Sequence, residues 1–258
     1  MGRLIKSELY KFKHTWVLWI HFVLPVLYGL VFYLASQTTG LKKFSPDETI
    51  QNYFTLLGAA VPIVVGVLIS KVADMESGAG HFQLLLSAPS RTRAYLGKAG
   101  ALFLGFIWAT SVAVGVFGGI FGHQTLAVWF AALLLLLAAS VAVYLIHLWV
   151  ALALGSVPSI GLGVVETLIA LLAMTGLGDK LWYFIPCTWP ARLPGTYILA
   201  IAYQNHSLLA AEMAKWGFSA LPITVMIFIG SIIWFNRWDG GQWGDYNPIN
   251  VSIKKKKR

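Results

Sequence analysis

Six stretches of this chain stay apolar for about as long as a helix needs to cross a bilayer, about 20 residues for roughly 30 Å of hydrocarbon. They lie at roughly 16–36, 53–71, 97–121, 126–154, 159–177 and 216–236. The fourth is long enough to tilt or bend, and the fifth is short. The longest stretches between them, about 178–215 and about 72–96, are too short to carry a core of their own. The pattern predicts an all-α, polytopic integral membrane protein built as a single transmembrane domain over 1–258. It has six transmembrane helices, an N-terminal amphipathic interfacial helix and a short cytoplasmic coupling helix between spans 2 and 3. The first stretch lacks a small-residue cleavage site and five more follow it, so it reads as a retained anchor.

Composition narrows the class. Residues of the apolar set make up 58% and charged residues 11%, where a soluble domain runs near about a quarter charged. A soluble fold of this size could not hide that much apolar surface. Soluble enzymes, nucleic-acid binders and disordered chains are all set aside, despite a net charge of +9. One cysteine, Cys187, leaves no internal disulfide framework and no cysteine-ligated zinc site. Basic residues set the orientation. With the N-terminus inside, Arg3, Lys6, Lys11, Lys13, Lys71, Arg91, Arg93, Lys98, Arg237 and the run Lys254–Arg258 fall on the cytoplasmic side, against Lys42, Lys43, Lys180, Arg192 and Lys215 outside. Both termini are therefore placed in the cytoplasm.

No catalytic or metal set is legible. The G-x-x-x-x-G-K-[ST] phosphate loop is absent. Its nearest approach, Gly97-Lys98, is followed by Ala99 and has no glycine five residues before it. H-E-x-x-H and G-x-S-x-G are also missing. ATP-driven work would need a separate chain, which would hold the ATP and Mg; this chain is expected to bind no cofactor.

Two segments face the cytoplasmic side. Near the N-terminus, Leu4, Ile5, Leu9, Phe12 and Trp16 recur at three- and four-residue steps among Arg3, Lys6, Lys11 and Lys13. That suits a short helix on the membrane surface. It reads equally as flanking charge for the first span or as a lever on a cytoplasmic partner. In the loop after span 2, Asp74 and Glu76 come where the span should leave the membrane. Gly78 and Gly80 permit a sharp turn. Phe82 and Leu84 to Leu86 follow as an apolar patch of one or two helical turns, which Pro89 breaks. Ser90 is placed to cap the next helix. A plain re-entry loop and a docking element both fit.

The run Phe82-Gln-Leu-Leu-Leu-Ser-Ala-Pro-Ser-Arg91, behind an acidic residue and glycines and ahead of Gly97-Lys98, resembles the ABC-2 class of ABC transporter permeases. So does the opening Lys6-Ser-Glu-Leu-Tyr-Lys-Phe-Lys-His-Thr-Trp16. More narrowly, Met75 to Leu86 and Gly176 to Arg192 are similar to the lantibiotic-immunity permeases, the paired E and G subunits, and the Trp189-Pro190 pair to the G type most. The resemblance implies that Asp74, Glu76, Gly78, Gly80, His81, Phe82, Gln83 and Leu85 meet an ATPase subunit. It also implies two ATPase copies, a second related permease, and a cationic antimicrobial peptide expelled from a bacterial plasma membrane to give self-immunity. Contact with membrane lipid is expected, and none with nucleic acid.

Other residues carry weaker signals. Gly115, Gly118, Gly119 and Gly122 form overlapping G-x-x-x-G patterns that let helices approach closely, within the chain or against a sister permease. Pro25, Pro62 and Pro158 sit in or beside spans and are candidate kink points. Glu166 lies inside the fifth span, where a carboxylate is costly unless paired, protonated or wet. His21 and His147 are similar but weaker candidates. The outer loop sets Trp182, Tyr183, Trp189, Tyr197 and Tyr203 among Pro186, Pro190 and Pro194, with Arg192. Its prolines argue for a folded-back structure, its aromatics for an interfacial belt or for contacts to a cationic substrate. The Lys-rich tail suits anionic lipid or plain solvation. Besides the exporter, two readings remain: a stand-alone channel or scaffold, and an intramembrane enzyme around Glu166, His21 or His147. The scarcity of charged pore-lining positions counts against a channel.

Overall fold

The computed structural model describes residues 2–13, 15–38, 40 and 42–242. Those residues hold helices and turns, and no strand. The helices are α1 (Gly2–Phe12), α2 (Trp16–Ser36), α3 (Pro46–Gly78), α4 (Gln83–Leu86), α5 (Arg91–Phe121), α6 (Leu126–Leu154), α7 (Ser156–Leu172), α8 (Trp189–Ala202) and α9 (His206–Arg237). Two short 3-10 turns, Trp182–Phe184 and Pro186–Thr188, precede α8. The Lys-rich tail, with Trp243 and Tyr246, lies outside the described residues.

Five of these helices, α2, α3, α5, α6 and α9, are long and apolar enough to cross a membrane. The fifth expected span is the shorter α7, whose 17 residues rise about 26 Å. Local chemistry sets the ends. Ser45 accepts from the Glu48 amide while the Glu48 side chain accepts from the Ser45 amide, a capping box with Pro46 in the first turn. This starts α3 seven residues before the apolar run. Ser90 caps α5 as expected, accepting from Arg93 N, and Thr125 caps α6, accepting from Val128 N.

The central element is α3, which packs on α6, α7 and α8, while α2 lies along α5. α2 and α9 stay largely exposed and present Trp19, Val31, Leu34, Phe218 and Leu221 outward. Apolar faces of this kind suit lipid. The stretch expected as a loop over 178–215 folds back into the bundle. Trp182, Trp189 and Leu193 form a second small core with Ala139, Ala142 and Ala220. Glycines set the closest approaches: a Cβ on Gly58 would lie 2.0 Å from Pro190 O at the start of α8, and one on Gly163 would lie 2.7 Å from Pro62 O.

Candidate functional site

Four charged side chains from three helices close into a ring. Lys98, on the second turn of α5, bonds Glu8 Oε2 of α1 at 2.5 Å and Glu76 Oε1 of α3 at 2.7 Å. Lys11 of α1 completes the circuit, 2.6 Å from Glu76 Oε1 and 2.7 Å from Glu8 Oε1. Charges alternate around the ring and sum to zero. The Lys98 side chain is 1% exposed and that of Glu76 4%; a lone charge so buried would be very costly. Burial by itself pushes the Lys11 ammonium down, but hydrogen bonds to Glu76 and Glu8 outweigh it and hold its pKa above the ordinary lysine value. The Lys11 contribution is therefore intact through neutral pH and is lost only as pH rises through that raised value.

The ring forms because α1 can reach α5. Gly97 leaves room for Leu4, since a Cβ there would meet Leu4 Cβ at 3.1 Å. Gly100 likewise faces Ile5, and Phe12 is buried. The face that α1 lays on the bundle is thus Leu4, Ile5, Glu8 and Phe12, a stripe with one carboxylate in it. In the sequence Glu8 and Lys98 stand only within motifs and the count of basic residues, not as candidate site residues. A signal for Glu8 is its place on a helical stripe with Leu4, Ile5 and Phe12, with Lys11 one turn on.

Directly after Glu76 comes the turn. Gly78 is the last residue of α3. Gly80, His81 and Phe82 all take positive φ, at 111°, 50° and 62°, a conformation that costs energy for residues with a Cβ. The Phe82 amide donates to the Glu76 carbonyl at 3.2 Å, so the turn hangs from the same residue that anchors the ring. The expected patch splits in two. Phe82 and Leu85 are buried, at 1% and 4% exposed, while Leu84 is 66% exposed; His81, Gln83 and Asp74 are also exposed. The ring and turn tie α1, the end of α3 and the start of α5 into one unit.

A family model described as ABC-2 family transporter protein matches residues 4–171, more than half of the chain. The chain belongs to this family. Searches of curated proteins and of solved structures each gave no match. ABC-2 proteins are the membrane components of ABC transporters, and the family implies an ABC ATPase as partner and a membrane-embedded, non-enzymatic subunit. All four ring residues fall within the matched stretch.

The other expected residues of this ABC-2 protein separate into four places. His147 and Glu166 meet in the bundle: His147 Nε2 lies 2.9 Å from Glu166 Oε2, and Nδ1 lies 3.0 Å from Ser159 Oγ. One proton satisfies the first contact, on either partner. Gly66 of α3 makes room, since a Cβ there would lie 3.1 Å from His147 Cε1. Ser159 and His147 are wholly buried, and Glu166 nearly so. Replacing Glu166 with Gln, whose amide can still donate to Nε2, is expected to change stability little. Glu166→Ala, which leaves a buried imidazole nitrogen unpaired, should cost about 1–3 kcal/mol. Thermal unfolding in detergent checks this, and equal losses in both variants would refute it. His21 stands apart, with Nδ1 2.6 Å from Val17 O and its ring against Gly105. It borders an apolar cavity of about 160 Å³ between α2, α3, α5 and α6 that is also lined by Pro25, Tyr28, Val61, Phe106 and Tyr144.

On the outer segment, Trp182 and Trp189 point into the second core, not outward. Arg192 clasps that segment: it donates to Ala173 O at 2.9 Å, pairs with Asp179, and lies 5.4 Å from the Trp182 ring. Of the four glycines, Gly118 alone packs within the chain, against the Trp129 ring. A Cβ at Gly115 or Gly119 would meet nothing within 4 Å, and Gly122 takes φ 69° to end α5.

Proposed function

We propose that this chain is the permease subunit of an ATP-driven exporter with six spans and both termini in the cytoplasm of a bacterial cell. α1 acts as the interfacial helix and the 79–90 segment as the element that meets the ATPase. The observation that carries the reading is the ring of Glu8, Lys11, Glu76 and Lys98. It sits at the root of the exposed turn and joins the helices on both of its sides, so a push on Leu84 reaches α1, α3 and α5 together. Two ATPase copies would supply the ATP and Mg, and a second related permease would complete the path. A cationic antimicrobial peptide of the lantibiotic type is the substrate that the motifs Met75 to Leu86 and Gly176 to Arg192 favour. The apolar cavity beside α2 suits the apolar side chains of such a peptide.

The test begins with mild-detergent purification of the tagged protein from its own host and mass spectrometry of its companions. An ATPase and a second polytopic protein are expected to co-purify. Leu84→Asp, on an exposed side chain, should remove the ATPase without lowering membrane levels. A solitary wild-type protein in several detergents would overturn the reading. Co-purification without protection against added lantibiotic would move the substrate to another drug or a lipid-like molecule.

A further inference from the structure

Residues 238–242, which follow α9, turn back across the 81–87 turn. The Trp238 indole packs on Phe82, with ring centroids 4.8 Å apart, and stacks on Trp234 at 5.2 Å. Arg91, the first residue of α5, donates from Nη1 to the main-chain carbonyls of Trp238 at 2.8 Å and Asn236 at 3.2 Å. Gly240 takes φ 94° under Leu86, where a Cβ would lie 2.8 Å from Leu86 Cδ1. Gln242 then donates to the Ala151 carbonyl at 3.2 Å, near the end of α6. The segment thus runs from α9, over the turn, to α6.

The turn needs such a cover. His81 and Phe82 hold left-handed backbone conformations in succession although both carry a Cβ. That arrangement persists only where the surroundings over-determine it. From the bundle side, the Phe82 amide is fixed by the Glu76 carbonyl. From the other side, the Phe82 ring is closed over by Trp238, which leaves it 1% exposed.

We propose that Trp238 to Gln242 form a strap that holds the 81–87 turn in the form presenting Leu84 to the ATPase, with Trp238 as the positioning residue. The strap makes α9 a further helix joined to the docking surface, beside α3 and α5. This proposal rests on the turn being that surface.

The first test needs no partner. In the full chain in nanodiscs, Trp238→Ala should speed amide hydrogen exchange across 82–87 by about tenfold or more while the middle of α3 is unchanged, and Trp238→Phe should restore slow exchange. Gly240→Ala, a milder change, serves where Trp238→Ala fails to fold. In the complex with the co-purifying ATPase, the permease concentration giving half-maximal ATPase stimulation should rise by a similar factor with the maximal rate kept, because only the fraction with an ordered turn can dock. Unchanged exchange in both variants overturns the strap. Faster exchange with unchanged half-saturation overturns its part in docking. A wild-type protein with no ATPase overturns the proposed function and the docking role with it, while the exchange comparison still decides whether the strap holds the turn.

Discussion

Replacing Lys98 with methionine is expected to release α1 from the bundle and to cost about 3–5 kcal/mol, the usual penalty for removing one partner of a buried ion pair. Glu8 and Glu76 would keep only Lys11, whose ammonium already serves both. Two readouts check this: the unfolding temperature in detergent, and the rate at which added protease cuts between α1 and α2. The ring makes a sharper demand than a single pair. Exchanging Glu76 and Lys98 would rescue an isolated ion pair. In this ring it sets a carboxylate at 98 beside Glu8 and an ammonium at 76 beside Lys11, so the double exchange should be no more stable than the single changes. Reversing all four charges should restore stability. A double exchange that behaves as wild type would show that Glu8 and Lys11 do not belong to the ring.

A substitution as small as Gly58→Ala is expected to dislodge α8. The added Cβ would fall 2.0 Å from Pro190 O, 2.2 Å from Pro190 C and 2.5 Å from Ala191 N. All three are backbone atoms, so no rotamer change relieves the clash and the helix itself must move. Overpacking of this kind costs about 1–3 kcal/mol, and more where the backbone resists. Cys187 offers a direct reporter. It is buried, it is the only cysteine, and it lies in the 3-10 turn leading into α8. Maleimide should label it slowly in the wild type and much faster in Gly58→Ala. Gly115→Ala, which enters open space, is the control and should label like the wild type. Equal labelling of all three proteins would sink the close-packing assignment.

What could be read from the sequence follows what hydropathy can see. The stretches 16–36 and 126–154 coincide with α2 and α6, because there the apolar run and the helix end together. α3 and α9 begin earlier than their apolar runs, at Pro46 and His206. Their starts are set by the caps Ser45 and Asn205, and polar residues follow before the apolar run, Asp47 and Glu48 in α3 and Glu212 and Lys215 in α9. The folded-back segment was signalled by Pro186, Pro190 and Pro194, but its burial was not. Interfacial and buried tryptophans look alike in a sequence, and Gly58, which admits α8, belongs to no motif. Of the repeated glycines at 115 to 122 only Gly118 makes a close contact, while Gly58, Gly66, Gly97 and Gly163, which belong to no such repeat, each admit a neighbour at least as near. Glu76 was legible as the residue at the mouth of the loop. Its partners were not: Glu8 and Lys11 stand one helical turn apart on α1, but no periodicity relates them or position 98 to position 76.

That separation along the chain has a consequence during biosynthesis. Glu8 is made 90 residues before Lys98, so at about 5–20 residues per second its partner follows by roughly 5–20 seconds. In that interval Glu8 has Lys11, three residues along the same helix, as its partner, while the ammonium of Lys98 is still to come. The N-terminal helix can therefore close its ring only once the start of α5 has emerged, and the 81–87 turn gains its last cover later still, when Trp238 has been made and can pack on Phe82.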